Sequence, residues 1–186
     1  MKKMRSRLEA SLDAGAVAIV LNTAALKLAD VLSLPTAHGG LLRLISPWFA
    51  GPLNAIGLTF LWQRAGGPPV SSALFQTGFH LAVGIAMAVF YAFAVDPLAK
   101  GRAIAKSLGY AAAVWVLNAA VVLPLTGEGF AGSKHLSFAG MVWFAAAHTL
   151  FFLVLGVLYQ TLRAQHSDAR KLGRQLINIF ARRGVG

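Results

Sequence analysis

The sequence has no cysteine and few charged residues, so several classes of protein are excluded at once. Without cysteine the chain forms no disulfides, thiolate metal sites or cysteine nucleophile. Charged residues make up 12% of the chain, whereas average soluble domains carry about 25%. Hydrophobic residues make up 57%, and the mean hydropathy is +0.65. This composition indicates a membrane protein rather than a soluble domain.

The charge that is present is mostly positive, with a net value of +11. The basic residues lie outside the long apolar runs, so anionic lipid headgroups are a better partner than nucleic acid. The first residues, MKKMRSR, are basic as in a signal peptide, but Glu9 and Asp13 interrupt the approach to the apolar run. We therefore expect a retained first helix rather than a cleaved leader.

Four stretches are long and apolar enough to cross a bilayer. A hydrocarbon core of about 30 Å needs roughly 20 residues of helix. Because lipid offers no hydrogen-bond partners to the backbone, each spanning stretch must be helical. The predicted spans are 14–32, 74–95, 103–125 and 138–162. The predicted fold is an all-α integral membrane protein, with a four-helix transmembrane domain over residues 1–162.

The first connection contains an additional apolar segment, 46–62, which is too short to span the membrane easily. Pro47, Gly51 and Pro52 are predicted to break its start. We interpret the segment as an interfacial or re-entrant half-helix in the first outer loop, after which Gly66–Pro69 turns the chain back.

The distribution of Lys and Arg predicts the orientation of the chain. Thirteen of the 17 basic residues lie at the two termini or around the second-to-third connection, and three lie on the opposite side. Since cytoplasmic segments carry the excess of basic residues, both termini are predicted in the cytoplasm, as an even number of spans requires. The Tyr residues, Tyr91, Tyr110 and Tyr159, are expected near the cytoplasmic interface.

The C-terminal tail, 163–186, is basic and amphipathic. Leu172, Leu176 and Phe180 recur at four-residue spacing, as in a helix that lies on an anionic leaflet. A frayed polar tail is the alternative. We expect contacts to lipid headgroups from Arg170, Lys171, Arg174, Arg182 and Arg183.

Polar residues inside the apolar runs predict a site in the outer half of the membrane. At about 1.5 Å of rise per residue, Lys27, His80 and Asn118 lie roughly 8–10 Å from the outer helix ends, and His148 roughly 15 Å. An ammonium at this depth is costly, so Lys27 is expected to pair with Asp30 or to reach outward. The functional hypothesis is a polar pocket that relays a proton, holds a lipid headgroup or ligates a cofactor. The alternative is packing alone, at about 1 kcal/mol or less per hydrogen bond.

Small residues at four-residue spacing predict which helix faces pack closely. The second span has one such stripe and the third span has another: His80, Gly84, Ala88 and Ala92, and Ala105, Gly109 and Ala113.

No pattern typical of an enzyme is present. Glu128 lies between Gly127 and Gly129, but no strand precedes this turn and it predicts no nucleotide loop. His38, His135 and His166 are expected to be exposed and without acidic partners. We therefore expect no catalytic activity, metal site or cofactor. Haem held by His80 and His148 is an alternative, which a difference in depth of about 6 Å argues against.

A set of short motifs resembles the YagU-like family of small bacterial inner-membrane proteins, over about residues 79–159. The motifs are a His early in the second span, a Tyr, a Pro in the following turn, a Pro-Leu-x-Gly end and a His in the fourth span: His80, Tyr91, Pro97, Pro124–Gly127 and His148. Asn118 stands near where the family has a His. The resemblance implies a bacterial inner-membrane location and implies little about the mechanism of the protein.

Three functions remain open from the sequence. The leading hypothesis is a non-catalytic structural or accessory subunit of a membrane complex, or an assembly partner. The first alternative is a small transporter or lipid-handling protein that uses the polar pocket. The second is an electron carrier that holds a cofactor between two His residues.

Overall fold

The computed structural model describes the backbone of residues 2–34 and 40–183, and the side chains of residues 4, 6–34 and 41–165. Every regular element in these two segments is helical. The longer helices are α1 Lys2–Val31, α2 Gly40–Ala55, α3 Leu58–Arg64, α4 Ala73–Leu98, α5 Ala103–Leu125 and α6 Phe138–Arg183. His38 lies outside the described residues.

Four segments in these helices are long and apolar enough to cross a membrane: Ser6–Val31, Ala73–Leu98, Ala103–Leu125 and Phe138–Gln165. Their number is as predicted, and three of the four match the predicted spans closely. The first begins earlier than residue 14, because the helix continues through Glu9 and Asp13. Polar residues in the first turns of a span reach headgroup depth and need not end the helix.

The first connection bends at a glycine, and the prediction that prolines break its start is wrong. Pro47 and Pro52 both lie inside α2, and the 87° bend comes between α2 and α3. A proline removes one backbone hydrogen bond, whereas Gly57, with φ of 73°, leaves the helical region entirely. An apolar bent pair of this kind fits either a re-entrant loop or a broken span.

Two π-helical turns interrupt α4 and α5, at Tyr91–Val95 and Asn118–Val122. Pro97 and Pro124 follow them closely. A proline has no N–H to offer the turn before it, and in both helices an amide just ahead of the proline bonds to a carbonyl five residues back. Each widened turn begins at a polar residue that faces the interior.

Neighbouring helices run antiparallel, and α1 packs along both α4 and α6. A Cβ on Gly84 would lie 2.4 Å from Ile19, and one on Gly15 would lie 2.5 Å from Ala88. These close approaches agree with the predicted stripe on α4, whose Ala88 and Ala92 are fully buried.

The predicted stripe on α5 does not pack against another helix within the described part of the chain. Ala105, Gly109 and Ala113 are exposed, and nothing lies within 4 Å of a Cβ placed on Gly109. The face that packs on α6 carries Ser107 and Ala111. Both faces of α5 carry small residues, so the spacing alone does not choose between them.

The helix α6 continues without a break from the fourth span into the tail. Side chains after Gln165 lie outside the described residues, so the headgroup contacts stay a prediction, as does the exposure of His166. The predicted contacts are Arg170, Lys171, Arg174, Arg182 and Arg183.

Candidate functional site

The helices define two ends of the molecule. The loop end is marked by Val31, Ala73, Leu125 and Phe138, and the terminal end by Ser6, Leu98, Ala103 and Gln165. A cavity of about 300 Å³ lies among α1, α4, α5 and α6 on the side of the loop end. All five residues of the predicted pocket line it: Lys27, Asp30, His80, Asn118 and His148.

Most of the wall of this loop-end cavity is apolar. Each of the four long helices contributes to it, with side chains that include Ile19, Val83, Val114 and Phe144, and α2 adds Leu41 and Leu42 from the loop end. Polar groups are therefore few and set in an apolar wall, as in sites that bind small molecules.

His80 is joined to α1 by a hydrogen bond. Its Nε2 lies 2.9 Å from Asn22 Oδ1, and Asn22 Nδ2 donates to the Ala147 carbonyl on α6 at 2.8 Å. Because that carbonyl only accepts, the orientation of the Asn22 amide is fixed, and His80 Nε2 must carry a hydrogen. In the neutral ring, His80 Nδ1 is then a free acceptor.

The sequence-based prediction missed Asn22, which is 1% exposed and links three helices. A carboxamide in the middle of an apolar run was the available signal, since such residues hydrogen-bond across helices. Its partners were not predictable, because they depend on how α1 is rotated against α4 and α6.

His148 lies in the wall of the same cavity, within electrostatic range of His80. Its Nδ1 donates to the Phe144 carbonyl one turn earlier, at 2.8 Å. The hydrogen on Nδ1 leaves Nε2 as an acceptor in the neutral ring. The two imidazoles thus have the same chemistry: one nitrogen is bound within the protein and the other is open.

Asn118 is the third internal polar residue of the cavity, at the first position of the π turn in α5. Its amide makes no side-chain hydrogen bond within the described part of the chain. It therefore offers both a donor and an acceptor to a ligand.

Lys27 and Asp30 lie at the edge of the cavity toward the loop end, and their charged groups are 3.3 Å apart. This confirms the predicted pairing. The Lys27 side chain is 68% exposed and that of Asp30 is 39% exposed, so the pair belongs to the surface rather than to the interior.

A second polar group lies next to the cavity and connects α2 to the α5–α6 turn. Arg43 of α2 pairs with Glu128, and His135 Nδ1 lies 2.6 Å from the other carboxylate oxygen of Glu128. The prediction that His135 has no acidic partner is therefore wrong. Gly127 and Gly129, with φ of 84° and 76°, make the tight turn that presents this carboxylate.

The hydrogen bond from Arg43 lowers the pKa of Glu128 below its ordinary value of 4.5, and the bond with His135 lowers it further. The carboxylate is thus held in its charged form. Since Arg43 and the cavity residues Leu41 and Leu42 are neighbours on α2, this ion pair also positions the part of the cavity wall that α2 supplies.

Within the described residues, no three His, Asp or Glu side chains come together in a way that would hold a metal ion. Comparison with protein families, curated proteins and solved structures finds no match for this chain. The resemblance to the YagU-like family stays a prediction.

Proposed function

We propose that this chain is a non-catalytic membrane protein that binds an amphipathic molecule in the loop-end cavity, as a small transporter or lipid-handling protein. The observation that carries the proposal is the cavity itself. It has about 300 Å³ of space, at the lower limit of roughly 300–1,000 Å³ for small-molecule sites. A packing role for the polar residues would not need this space.

In this proposal the four candidate spans form a bundle in the bacterial inner membrane, with both termini in the cytoplasm. The excess of Lys and Arg at the terminal end supports that orientation. Membership of the YagU-like family is part of the proposal, and its support is the set of short motifs between His80 and His148.

The hydrogen-bonding groups that line the cavity indicate which class of ligand it would bind. Two neutral imidazoles offer acceptors at His80 Nδ1 and His148 Nε2, and Asn118 can accept as well. A ligand with hydroxyl or amide N–H donors matches these groups, and an apolar part of the same molecule matches the rest of the wall. An uncharged, hydroxyl-bearing amphipath is the class that the cavity suits.

Two variants of α5 test this proposal with the same chemical change. Val114→Phe fills the cavity, which Val114 lines, whereas Val116→Phe places the ring on a face where the valine is 57% exposed. Native mass spectrometry from mild detergent should show a bound small molecule on the parent protein and on Val116→Phe, but not on Val114→Phe.

The proposal fails if the parent protein carries no small molecule and is not stabilised toward heat by any hydroxyl-bearing amphipath. It also fails if Val114→Phe retains the bound molecule as well as Val116→Phe does.

The exposed small-residue face of α5 favours a second candidate, an accessory subunit of a membrane complex. Ala105, Gly109 and Ala113 leave room for another helix to approach closely. Gly109→Leu should abolish assembly with a partner or a second copy. Gly78→Leu is the control, because Gly78 is equally open on α4. An unchanged assembly mass for Gly109→Leu would contradict this candidate.

A further inference from the structure

At the terminal end, each of the four spans contributes one charged side chain to a shared cluster. These are Arg7 of α1, Asp96 of α4, Lys106 of α5 and Arg163 of α6, called here the terminal-end cluster. Asp96 is only 8% exposed. Its Oδ1 lies 2.9 Å from Lys106 Nζ and its Oδ2 lies 2.5 Å from Arg163 Nη1.

Two of the tyrosines predicted near the cytoplasmic interface pack beside this cluster. Tyr91 and Tyr159 are fully buried, with ring centroids 5.6 Å apart, and the Arg163 guanidinium lies 5.6 Å from the centre of the Tyr159 ring. A buried tyrosine is stabilised by aromatic and cationic neighbours of this kind.

The cluster has more positive than negative charge. Asp96 pairs with Lys106 and Arg163, and the Tyr159 hydroxyl lies within electrostatic range of Asp96, Arg163 and Arg7. Two cations thus share one carboxylate, and a third cation, Arg7, lies near the same tyrosine. Poorly hydrated cations at this depth need further anionic partners.

Arg7 shows where the missing acceptor belongs. Its Nε is buried and has no hydrogen-bond partner among the described residues. A guanidinium is only a donor, and its fork matches the oxygens of a phosphate or carboxylate. The group that completes the site must therefore accept hydrogen bonds and carry negative charge.

The depth of the cluster matches that of a lipid headgroup. Every member lies in the first or last turn of its span, as the span bounds show. The Arg163 side of the cluster is open to a ligand, because the Arg163 side chain is 32% exposed and lines a shallow groove together with Asp96, Gln160 and Ala164.

We propose that the terminal-end cluster binds the phosphate of an anionic phospholipid, with Arg7 and Arg163 donating to its oxygens and Lys106 adding charge. This site is distinct from the loop-end cavity and does not depend on the ligand proposed there. Free phosphate has the same binding chemistry, but the headgroup depth of the cluster favours the lipid.

The test compares phosphatidylglycerol with phosphatidylcholine, titrated onto the full-length protein in non-ionic detergent and counted by native mass spectrometry. The parent protein should prefer phosphatidylglycerol by about fivefold or more, as expected for one or more basic groups acting on an anionic headgroup. Arg7→Gln should lose most of that preference. It leaves both Asp96 pairs intact, so the fold should survive.

Arg102→Gln is the matched control, since it removes the same charge from an exposed position beside the cluster. It should keep the preference, and Arg7→Lys should restore part of it. Equal binding of the two lipids by the parent protein overturns the proposal even if Arg7→Gln does not fold. Equal losses in Arg7→Gln and Arg102→Gln overturn it too.

Excess inorganic phosphate distinguishes the two sources of the anion. A lipid site should retain phosphatidylglycerol in its presence, because the acyl chains add affinity that free phosphate lacks. Complete displacement of phosphatidylglycerol by inorganic phosphate would overturn the lipid assignment.

Discussion

At the loop end, polar side chains surround a cavity of about 300 Å³, whereas at the terminal end charged and aromatic side chains are buried against each other. The loop-end ion pairs that involve Lys27 and Arg43 have well-exposed cations. By contrast, the carboxylate of Asp96 and the ammonium of Lys106 are 7% and 11% exposed. The same residue types thus serve different purposes at the two ends.

This difference predicts which residues should affect the stability of the protein and which should affect ligand binding. Breaking a buried ion pair leaves an uncompensated charge, whereas an exposed pair contributes little. The Asp96 ion pairs at the terminal end should therefore respond to mutation mainly by unfolding, whereas a change at Arg7, which is outside these pairs, should mainly affect lipid binding. The loop end has space and open hydrogen-bonding groups, so it should respond mainly by changed ligand binding.

The largest expected effect is that of Asp96→Asn. Losing this carboxylate leaves Lys106 and Arg163 without their shared anion, which should lower the free energy of unfolding by about 3–5 kcal/mol. Asp30→Asn, the matched change at the loop end, should cost less than about 1 kcal/mol. Denaturant unfolding in detergent micelles measures both, and equal losses would remove the distinction between the two ends.

Glycine substitutions should show the next largest contrast. A Cβ on Gly156 would lie 1.8 Å from Ser107 Oγ and 2.9 Å from the Tyr91 hydroxyl, so Gly156→Ala should cost about 1–3 kcal/mol of unfolding free energy. A Cβ on Gly78 meets nothing within 4 Å. Gly78→Ala should be neutral or stabilising by up to about 1 kcal/mol. Thermal unfolding measures both variants, and an equal loss of stability in Gly156→Ala and Gly78→Ala would contradict this prediction.

A smaller effect on stability is expected from His80→Leu. The hydrogen bond between His80 and Asn22 is worth about 0.6 kcal/mol if it resembles other bonds between membrane helices. Ligand occupancy should fall much more than stability does, because a cavity acceptor is lost as well. A variant that keeps its ligand but unfolds easily would assign His80 to packing.

The smallest effect is expected from pH at the loop end. Since the pKa of Glu128 is lowered by Arg43, its contribution to stability is complete above the ordinary value of 4.5 and is lost as the pH falls through the lowered value. The protection of α2 amides against hydrogen exchange, corrected for the intrinsic exchange rate at each pH, should therefore decrease on acidification in this range. Glu128→Gln should exchange faster at neutral pH and lose this dependence, and a parallel pH response in both proteins would exclude the carboxylate as the cause.

Much of the fold was predictable because it depends on composition along the chain. Uninterrupted apolar runs place the four candidate spans, and the stripe that contains Gly84 and Ala88 predicts a closely packed face of α4, which the structure places against α1. The start of the first span and the bend at Gly57 were not predictable in this way. The helix α1 continues through the charged residues Glu9 and Asp13, and α2 continues through Pro47 and Pro52, so neither charge nor proline marks where these helices begin or end.

The candidate site was predictable in part. Depth along each helix places His80 and Asn118 at similar levels and His148 about 6 Å deeper, and all three line the cavity. Depth does not determine rotation, which is why Asn22 was missed. The terminal-end cluster was missed for a different reason. Lys106 and Arg163 were counted only as basic residues that set the orientation of the chain. The available signal was Asp96, one of few acidic residues, which lies close enough in depth to pair with both.

The central proposal is that four spans bring both chain termini to one face of the membrane. Single-cysteine labelling tests it most directly, because the natural chain has no cysteine. Met4→Cys and Gln165→Cys report on the terminal end, and Ser71→Cys and Ser133→Cys on the loop end. A membrane-impermeant thiol reagent added to intact cells should label only the Ser71→Cys and Ser133→Cys proteins, and all four once the membrane is opened. Labelling of Met4→Cys and Gln165→Cys from opposite faces would contradict the account.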